Sequence, residues 1–413
     1  MKVLIVSQYF WPENFRINDL VKELTQRGHN VSVLTGIPNY PSGKVFEVFQ
    51  KNPKKFQNYD GVDVYRVPII ARGKSGFRLF FNYLSFVISA SCFGPWKLRK
   101  NNFDIIFVYE PSPVTVGLPA LLIGKIKRVP VIFWALDLWP ETLVAVGALK
   151  SPILVSLTEM LVRFIYERCA LVLGQSHSFV ENISNYCSDA SKIRYFPCWA
   201  EEAFNESDVL PAPEVPIKKD IFTILFAGNI GEAQDLPSVL YAAELLKKNS
   251  SIRWIIVGDG RKYEWLKSEV KYRGLENCFI LLGRFPLERM PSFYLHADAL
   301  LVSLKKDPVF SMTIPGKVQS YLMSGIPIIG MLDGEGAKVI NESNSGIVCS
   351  AGDSNELVSS VIKISKMSVN KRKKLGLNGR EYSKNEFSRV SLINRLELLF
   401  KEAYADYNQE KIS

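Results

Sequence analysis

The chain has 413 residues, of which 47% are hydrophobic and 22% charged, and it contains six scattered cysteines. This length exceeds what one hydrophobic core usually serves, and the composition excludes a disordered chain. Without any CxxC pair, the cysteines favour a reducing compartment over a disulfide framework or a zinc site. The net charge of +10 favours a polyanionic partner, whether nucleic acid, anionic lipid or phosphate compounds.

Short apolar runs alternate with helical patterns through the first 200 residues. Residues 15–27 place Ile17, Leu20, Val21 and Leu24 on one helical face. The strands predicted from the apolar runs are 2–6, 29–35, 62–67, 105–109, 129–134 and 171–175. Short buried strands separated by helices predict a parallel sheet covered on both faces, in a doubly wound, Rossmann-like α/β domain.

A second α/β series follows a break in this pattern. Residues 199–220 hold three prolines and six acidic residues, which is typical of a linker. The predicted strands that follow are 222–227, 254–257, 279–282, 299–302, 326–329 and 346–349, and an amphipathic helix closes the chain at 388–407. We therefore predict an N-terminal domain at 1–200, a C-terminal domain at 201–387 with its linker at 201–220, and a terminal helix at 388–413. Two such halves create a cleft, a favoured place for ligands.

Two glycine turns end strands of the second domain. FAGNIG (226–231) contains Gly228 and Gly231, and IVGDG (256–260) contains Gly258. Glycines here let backbone N–H groups approach a phosphate, although each turn alone is also compatible with a plain strand–helix connection. A nicotinamide cofactor fits less well, because no GxGxxG follows the first strand and no acidic residue ends the second.

The stretch DPVFSMTIPGKVQSYLMSGIP (307–327) combines a helix start with a positive charge. Pro315 suits the first helical turn, and the N–H groups from Gly316 onward then lack helical partners. Lys317 adds a full charge beside the helix dipole. Together with the glycine turns, this arrangement predicts a diphosphate contact.

Acidic residues follow several strands of the first domain. Glu13 lies in FWPEN, Glu110 in YEPSP, and Asp137 and Glu141 in DLWPE. Each carboxylate alone is compatible with a helix cap or a surface group. Four at one sheet edge make a base for an acceptor hydroxyl plausible, with Asp137 or Glu13 the leading candidates.

Basic and aromatic residues are interleaved between residues 71 and 100. This pattern is typical of a helix lying in an anionic membrane surface, and the residues concerned are Arg72, Lys74, Phe77, Arg78, Phe80, Phe81 and Lys97. The uncharged run 79–96 is of borderline length for a membrane span, and its polar residues argue against one. A buried helix is the plain alternative. Nucleic acid fits less well, because no nucleic-acid-binding motif is present.

The chain resembles the retaining glycosyltransferases of family 4, which have the GT-B fold. WPEN, RGHNVSVLT, DLWPE, FAGNIG, IVGDG and KVQSYLMSGIP carry the resemblance, in an order that spans most of the chain. It looks most similar to the bacterial fucosamine-transferase-like subgroup of O-antigen and capsule assembly. The resemblance implies two Rossmann-like domains facing across a cleft, with a C-terminal helix packing back on the N-terminal domain.

The resemblance also assigns roles to residues. It places the nucleotide sugar on the C-terminal domain, with Gly228 and Asn229 at the diphosphate, and the acceptor on the N-terminal domain. The acceptor-side candidates are Glu13, Asn14, Arg16, Glu110, Asp137 and Glu141, with Arg16 suited to an acceptor phosphate. No metal or other cofactor is implied.

The sequence departs from the family at charged positions of the donor site. Two family glutamates are replaced by Met312 and Ser320, and Asn229 and Gln234 stand where the family usually has Arg and Lys. Candidates to supply the missing charge are Lys317, Arg261 and Arg284. Ser320 remains able to bond a ribose hydroxyl, and Asp307 or Ser311 could take over sugar contacts. The family's usual histidine before Asp137 is Leu136.

These observations predict a retaining glycosyltransferase that moves a sugar from a nucleoside diphosphate, UDP by expectation, to a polyprenyl-diphosphate-linked sugar. Its expected place is the cytoplasmic face of a bacterial membrane, as a peripheral protein. Two alternatives stay open: a UDP-N-acetylglucosamine 2-epimerase of the same fold, and a non-catalytic partner in polysaccharide assembly. The sequence does not specify the sugars, the linkage or the oligomeric state.

Overall fold

The computed structural model describes residues 1–73, 76–200, 209–217 and 220–410 and divides the chain into two compact units. The first unit comprises Met1–Pro197 and the chain from Leu392 onward, and the second comprises Cys198–Ser391. The N-terminal segment of the first unit ends at Pro197, close to the predicted domain end at residue 200. The predicted linker falls partly on 201–208 and 218–219, which lie outside the described residues, as does Lys74 of the predicted membrane-binding region.

The first unit is built on an eight-stranded sheet in the order β3-β4-β2-β1-β5-β6-β7-β8, parallel except for β3. Its strands are β1 (Lys2–Val6), β2 (Asn30–Gly36), β3 (Asn58–Tyr59), β4 (Val62–Val67), β5 (Ile105–Glu110), β6 (Val131–Ala135), β7 (Leu171–Gly174) and β8 (Ile193–Tyr195). The predicted strands are confirmed with small shifts at their ends. β3 and β8 were missed, because strands this short carry no apolar run.

Helices cover both faces of this sheet. They are α1 (Arg16–Gln26), α2 (Glu47–Lys51), α3 (Gly76–Lys97), α4 (Gly117–Lys127), α5 (Glu141–Ala145), α6 (Pro152–Arg168) and α7 (His177–Ser184). α3 contacts β2, β4 and α4, and α4 in turn contacts α6. These three helices therefore lie side by side in one layer.

The second unit contains a six-stranded, wholly parallel sheet in the order β11-β10-β9-β12-β13-β14. Its strands are β9 (Phe222–Ala227), β10 (Ile252–Val257), β11 (Phe279–Gly283), β12 (Ala299–Ser303), β13 (Ile328–Met331) and β14 (Gly346–Cys349). β13 begins two residues later than predicted. Pro327 precedes it and has no N–H group to donate to a neighbouring strand.

The helices of the second unit separate its strands, as the doubly wound prediction requires. They are α8 (Leu236–Leu245), α9 (Tyr263–Tyr272), α10 (Met290–Tyr294), α11 (Pro308–Met312), α12 (Gly316–Ser324), α13 (Glu335–Glu342), α14 (Ser354–Ser365) and α15 (Val369–Glu386). Apolar side chains fill both faces of the sheet, with Phe226 and Trp254 on one face and Leu225 and Ile255 on the other.

The last helix, α16 (Arg389–Glu410), packs on the first unit. The rings of Phe400 and Phe107 lie 5.6 Å apart, centroid to centroid. Glu397 accepts hydrogen bonds from Arg27 at 3.1 Å and His29 at 2.8 Å. The expectation that the terminal helix returns to the N-terminal domain is confirmed.

α3 has the length and apolar composition of a membrane-spanning helix, yet one of its faces is packed inside the unit. Phe86 and Ala90 are fully buried. The side-chain amide of Asn82 is also buried, where it accepts from Gln8 Nε2 at 2.7 Å and donates to Ile70 O at 2.6 Å. Because this face covers the sheet, only the opposite face is available to a lipid surface.

Candidate active site

In the second unit, the two glycine turns pack against each other at the carboxyl edge of the sheet. Gly258 has a φ of +149°, and a Cβ there would lie 1.9 Å from the carbonyl oxygen of Gly228. A Cβ at Gly260 would lie 2.3 Å from the carbonyl oxygen of Ile230. Glycine is therefore required at both positions by the close approach of the two backbones.

This packing changes the role expected of the glycine N–H groups. Gly228 N–H donates to Val257 O at 2.8 Å, and Gly258 N–H donates to Gly283 O at 2.7 Å. These two amides hold the turns together and are not available to a phosphate. Gly231 adopts an extended conformation instead, with φ −115° and ψ 175°, at the start of a short helical turn.

The side chain of Lys317 extends from α12 to the first of these turns, at Gly228. A Cβ at Gly228 would meet Lys317 Cε at 2.6 Å, so the absence of a side chain at Gly228 makes room for the lysine. Lys317 Nζ donates to the amide oxygen of Gln234 and lies 3.6 Å from the centroid of the Phe226 ring. No carboxylate is within ion-pair distance of Lys317 in the described part of the chain.

When it is protonated, Lys317 therefore carries a charge whose contacts are with neutral groups. An amide oxygen and an aromatic face stabilise an ammonium group less than a carboxylate does. Desolvation lowers the pKa of Lys317 well below its usual range. A bound diphosphate would supply the missing counter-charge.

Tyr321, in the middle of α12, fixes this helix against the end of β9. Its hydroxyl accepts from Ala227 N at 2.9 Å and donates to Ala227 O at 3.2 Å, and the side chain is buried. Ala227 is the residue before Gly228, so this contact fixes Lys317 against the glycine turn. The sequence reading did not assign Tyr321 a role, although its spacing of one helical turn from Lys317 is visible in the sequence.

Other predicted donor-site side chains are hydrogen-bonded to backbone groups of the second unit. Ser320 is buried and its hydroxyl donates to Gly316 O at 3.1 Å, so the expected ribose contact would require that bond to be exchanged. Ser311 Oγ donates to Pro308 O at 2.7 Å, and Asp307 caps α11 by accepting from Val309 N. Both side chains therefore form hydrogen bonds to the backbone of α11.

The predicted cations other than Lys317 are exposed. Arg261 follows β10 and Arg284 follows β11, both at the carboxyl edge of the sheet. Pro315 immediately precedes α12, so the N–H groups of Gly316 and Lys317 begin the helix without partners inside it. These amides, rather than those of Gly228 and Gly258, can face an anion.

In the first unit, Glu13 is a structural carboxylate. It is 2% exposed, and its two oxygens accept from the backbone N–H groups of Phe10, Asn39 and Tyr40. Burial raises its pKa to about 7 despite these bonds. The structure thus gives Glu13 a role in joining two loops, and its action as a base or acceptor contact stays a prediction. Asn14, beside it, is exposed.

Glu110 is also enclosed. Its side chain is fully buried, Oε2 accepts from Asp137 N at 3.3 Å, and Oε1 has no hydrogen-bond partner. Burial, followed by the nearby charge of Asp137, raises the pKa of Glu110 well above its usual range. Glu110 therefore lies beneath the Asp137 loop, and its predicted acceptor contact stays a prediction.

Glu141 joins α5 to α7. Its Oε1 accepts from Asn182 Nδ2 at 2.7 Å and from Tyr186 OH at 2.9 Å. These two bonds position the helix that follows the DLWPE loop. They give Glu141 a structural role, while Oε2 has no hydrogen-bond partner among the described residues, and the acceptor contact stays a prediction.

Asp137, which like Glu141 is half-buried, is surrounded by hydrogen-bond donors. It accepts from Trp139 Nε1 at 3.2 Å and from the side chains of Ser112 and Thr142. Burial raises its pKa above the usual value against these bonds. A raised pKa and displaceable hydroxyl partners suit a group that handles a proton of a bound hydroxyl.

An aromatic cluster lies at the same edge of the first unit. Phe15, Tyr9 and Tyr40 have ring centroids 5.1 to 5.4 Å apart, and Arg72 lies 5.3 Å from the Tyr40 ring. The guanidinium of Arg72 thus contacts this cluster, and its predicted membrane contact stays a prediction. Arg16 opens α1 beside Phe15 and is half-buried.

No group of three or more His, Cys, Asp or Glu side chains suited to a metal ion occurs in the part of the chain that the structure describes. His177 stacks on Tyr195 with centroids 4.3 Å apart, and His296 Nε2 lies 2.9 Å from Ala212 O. Both contacts are structural.

Comparison with known families accounts for both units. Residues 14–199 match the glycosyl transferase 4-like domain, and residues 212–382 match the glycosyl transferases group 1. The chain is a glycosyltransferase of this two-domain type. The match places the candidate donor site, with Lys317 and the two glycine turns, inside the group 1 domain.

Individual relatives are distant. The putative colanic acid biosynthesis glycosyl transferase WcaI of Escherichia coli is 25% identical over 79% of this chain and 82% of its own length. The probable glycosyltransferase WbjE of Pseudomonas aeruginosa is 27% identical over 52% of this chain, which corresponds to 55% of its own length. The crystal structure of HepE from Anabaena with UDP and glucose is 13% identical, covers 97% of this chain and 99% of its own, and has a TM-score of 0.67. This likeness shows the GT-B fold.

Proposed function

We propose that this glycosyltransferase moves a sugar from a nucleoside diphosphate, UDP in the first instance, to a polyprenyl-diphosphate-linked sugar, with retention of anomeric configuration. The observation that carries the proposal is Lys317, at the junction of a glycine turn and a helix start, whose amino group has no carboxylate partner among the described residues. The UDP seen in the HepE structure and the colanic acid pathway named for WcaI support this choice of donor and product.

Leaving-group stabilisation is the main catalytic contribution available at this site. As the bond between the sugar C1 and the diphosphate oxygen breaks, negative charge develops on the diphosphate. We assign the stabilisation of that charge to the Lys317 ammonium and to the N–H groups of Gly316 and Lys317 at the start of α12. The acceptor oxygen then bonds C1 on the face that the diphosphate leaves, and the departing diphosphate takes the acceptor proton.

This front-face route needs no strong protein base, which agrees with the enclosure of Glu13 and Glu110. Asp137 is then proposed to orient the acceptor hydroxyl through a hydrogen bond. Because the sequence resembles the fucosamine-transferase-like subgroup, the donor sugar is proposed to be an N-acetylated amino sugar such as N-acetylfucosamine. The product would belong to a bacterial surface polysaccharide, O-antigen or capsule.

The protein is further proposed to work at the cytoplasmic face of the membrane. The outer face of α3 exposes Phe77 and Phe80, whereas Phe81 is half-buried. Arg78 is exposed near the start of this helix and Lys97 lies at its end. A lipid-linked acceptor would be reached from this position without extraction from the bilayer.

Lys317→Ala tests the donor site. Transfer from UDP- and GDP-sugars to polyprenyl-diphosphate-linked acceptors is followed by mass spectrometry of the products. We expect turnover to fall by about two to three orders of magnitude. Circular dichroism checks that the variant is folded, and activity near that of the wild type would remove Lys317 from the site.

Incubation of the same donors without an acceptor separates the alternatives, with the sugars identified by NMR because an epimer has the same mass as its substrate. An epimerase would convert UDP-N-acetylglucosamine without any acceptor, and a non-catalytic partner would bind nucleotide without turnover. Lys271→Ala is the control, because it removes an exposed cation of α9 that has no predicted role in the donor site. It should change turnover much less than Lys317→Ala.

A further inference from the structure

The outer face of α6 is apolar along most of its length. Ile153, Leu157, Met160 and Phe164 recur at spacings of three and four residues and are 43% to 74% exposed. The opposite face, with Val162, Ile165 and Tyr166, is buried. A helix on the surface of a soluble protein normally turns charged residues to solvent, so an apolar outer stripe indicates a partner.

The apolar surface continues beyond α6 on both sides. Val144 and Val146, just before α6, are exposed, and so are Leu122 and Ile126 of the neighbouring α4. The outer face of α3, next to α4, exposes Phe77, Phe80, Leu84, Ile88 and Trp96. Three adjacent helices thus present apolar outer faces, which exceeds the scattered apolar residues of an ordinary surface.

Cations border this surface at the carboxyl ends of the same helices. Residues 111–136 contain three Lys or Arg and no Asp or Glu. Arg168 lies 3.8 Å from the Phe164 ring centroid and Arg99 lies 4.8 Å from that of Trp96. α6 has two acidic residues, Glu159 and Glu167, and Glu167 is bonded to Ser188. Guanidinium groups beside exposed aromatic rings suit the region of lipid head groups.

The same layer of helices reaches the candidate acceptor site. Tyr83, on the inner side of α3, lies 6.1 Å from the Trp139 ring and hydrogen-bonds Ser112, one of the donors to Asp137. α5 and α6 follow directly from the loop that carries Asp137. A membrane against this layer would hold the apolar chain of an acceptor while its diphosphate sugar lies near Asp137.

We propose that α6, with the Val144–Val146 segment before it, is a second membrane-docking element, and that α3, α4 and α6 bind an anionic bilayer as one surface. A second copy of the chain fits less well, because a two-fold contact through this face would bring its bordering arginines and lysines together. Anionic phospholipids would instead neutralise them. The link to a lipid-borne acceptor rests on the proposed function.

The test is sedimentation of the full chain with vesicles of phosphatidylcholine alone or of phosphatidylcholine and phosphatidylglycerol in equal parts. We expect the wild type to bind the anionic vesicles. Leu157→Ser with Met160→Ser should weaken this binding about tenfold, since two half-exposed apolar side chains no longer enter the lipid. Phe80→Ser with Phe81→Ser should also weaken the binding to anionic vesicles, because both residues lie on α3.

The matched control is Val369→Ser with Leu377→Ser on α15, where both residues are 56% to 61% exposed in the second unit. Its binding should equal that of the wild type. Unchanged binding of the α6 variant, or a dimer in sedimentation velocity that dissociates on the α6 change, would overturn the proposal.

Vesicle binding is measured without donor or acceptor, so it stands or falls independently of the proposed reaction. Failure of the proposed function would appear differently, as absence of transfer by the wild type to any lipid-linked acceptor. With a short-chain, water-soluble acceptor, the α6 variant should keep its turnover. A loss there would mean that α6 acts on catalysis and not on docking.

Discussion

At the scale of single residues, Lys317 shows how a site retains a cation when the usual ones are absent. Asn229 and Gln234 stand where the resemblance leads one to expect Arg and Lys, and Gln234 accepts a hydrogen bond from Lys317 Nζ. The side-chain amide of Gln234 thus positions Lys317, which supplies the positive charge that Gln234 itself lacks. Gly228 is part of the same arrangement, because any side chain there would displace Lys317.

The lowered pKa of Lys317 predicts a pH dependence. In the free enzyme the ammonium loses its proton at a lower pH than an ordinary lysine, because burial disfavours its charge. We therefore expect kcat/KM for the donor to fall as pH rises through that pKa. In Lys317→Arg the guanidinium stays charged, so any remaining activity should not fall over the same pH range.

Gln234→Leu provides the companion measurement. Without the amide oxygen the ammonium is held less well, so we expect the alkaline limb of the profile to move to lower pH and the donor KM to rise about tenfold. An unchanged profile would show that Gln234 does not position Lys317. Glu232→Gln, on the same turn but paired with Lys262 and Lys305, is the control and should leave the alkaline limb in place.

At the scale of secondary-structure elements, several carboxylates that look catalytic in the sequence connect elements. Glu13 joins the loop after β1 to the loop after β2, and Glu141 joins α5 to α7. Glu110 lies beneath the loop after β6. The sequence predicts that all of them lie at one sheet edge. Only tertiary packing decides which of their carboxylate oxygens accept hydrogen bonds from backbone N–H groups.

Glu13→Gln tests this structural role. One oxygen can still accept from Asn39 and Tyr40, but an amide NH2 would oppose the N–H of Phe10. We expect a loss of about 1 to 3 kcal/mol in the free energy of unfolding, measured by denaturant titration. Asn14→Ala, at the exposed neighbouring position, should be nearly neutral.

The raised pKa of Glu13 also predicts how the stability difference between the wild type and Glu13→Gln changes with pH. The folded protein holds its proton up to about pH 7, whereas the unfolded chain releases it near 4.5. Wild-type stability therefore falls between these two pH values, and the glutamine variant lacks that fall. The stability difference between the two proteins should narrow as pH rises through this window, and a widening difference would contradict the assigned pKa.

At the scale of the whole molecule, α16 brings the end of the chain back to the first unit. Burial acts to raise the pKa of Glu397, but its hydrogen bond to His29 and the charge of Arg27 outweigh burial and lower it. A lowered pKa means that Glu397 stabilises the fold above the pKa of the unfolded chain. This contribution is lost as pH falls through the folded pKa.

Glu397→Ala should lower the free energy of unfolding of the first unit by about 1 kcal/mol near neutral pH. The difference should vanish in acid, where the wild-type carboxyl is also uncharged. Thermal unfolding at the two pH values measures both effects. Asp406→Ala removes an acidic residue from the same helix without an ion pair among the described residues, and it should leave the transition unchanged.

The sequence by itself determined the two parallel sheets, because continuous apolar runs between helices have few other ways to be buried. It also located the helix start at Lys317, since proline, glycine and charge act locally. Only the tertiary structure decided that Gln234, 83 positions away, positions Lys317, and that Glu13 is enclosed. It also decided that the outer stripe of α6 is uncovered. Burial and pairing depend on which distant segments meet, and local patterns do not record that.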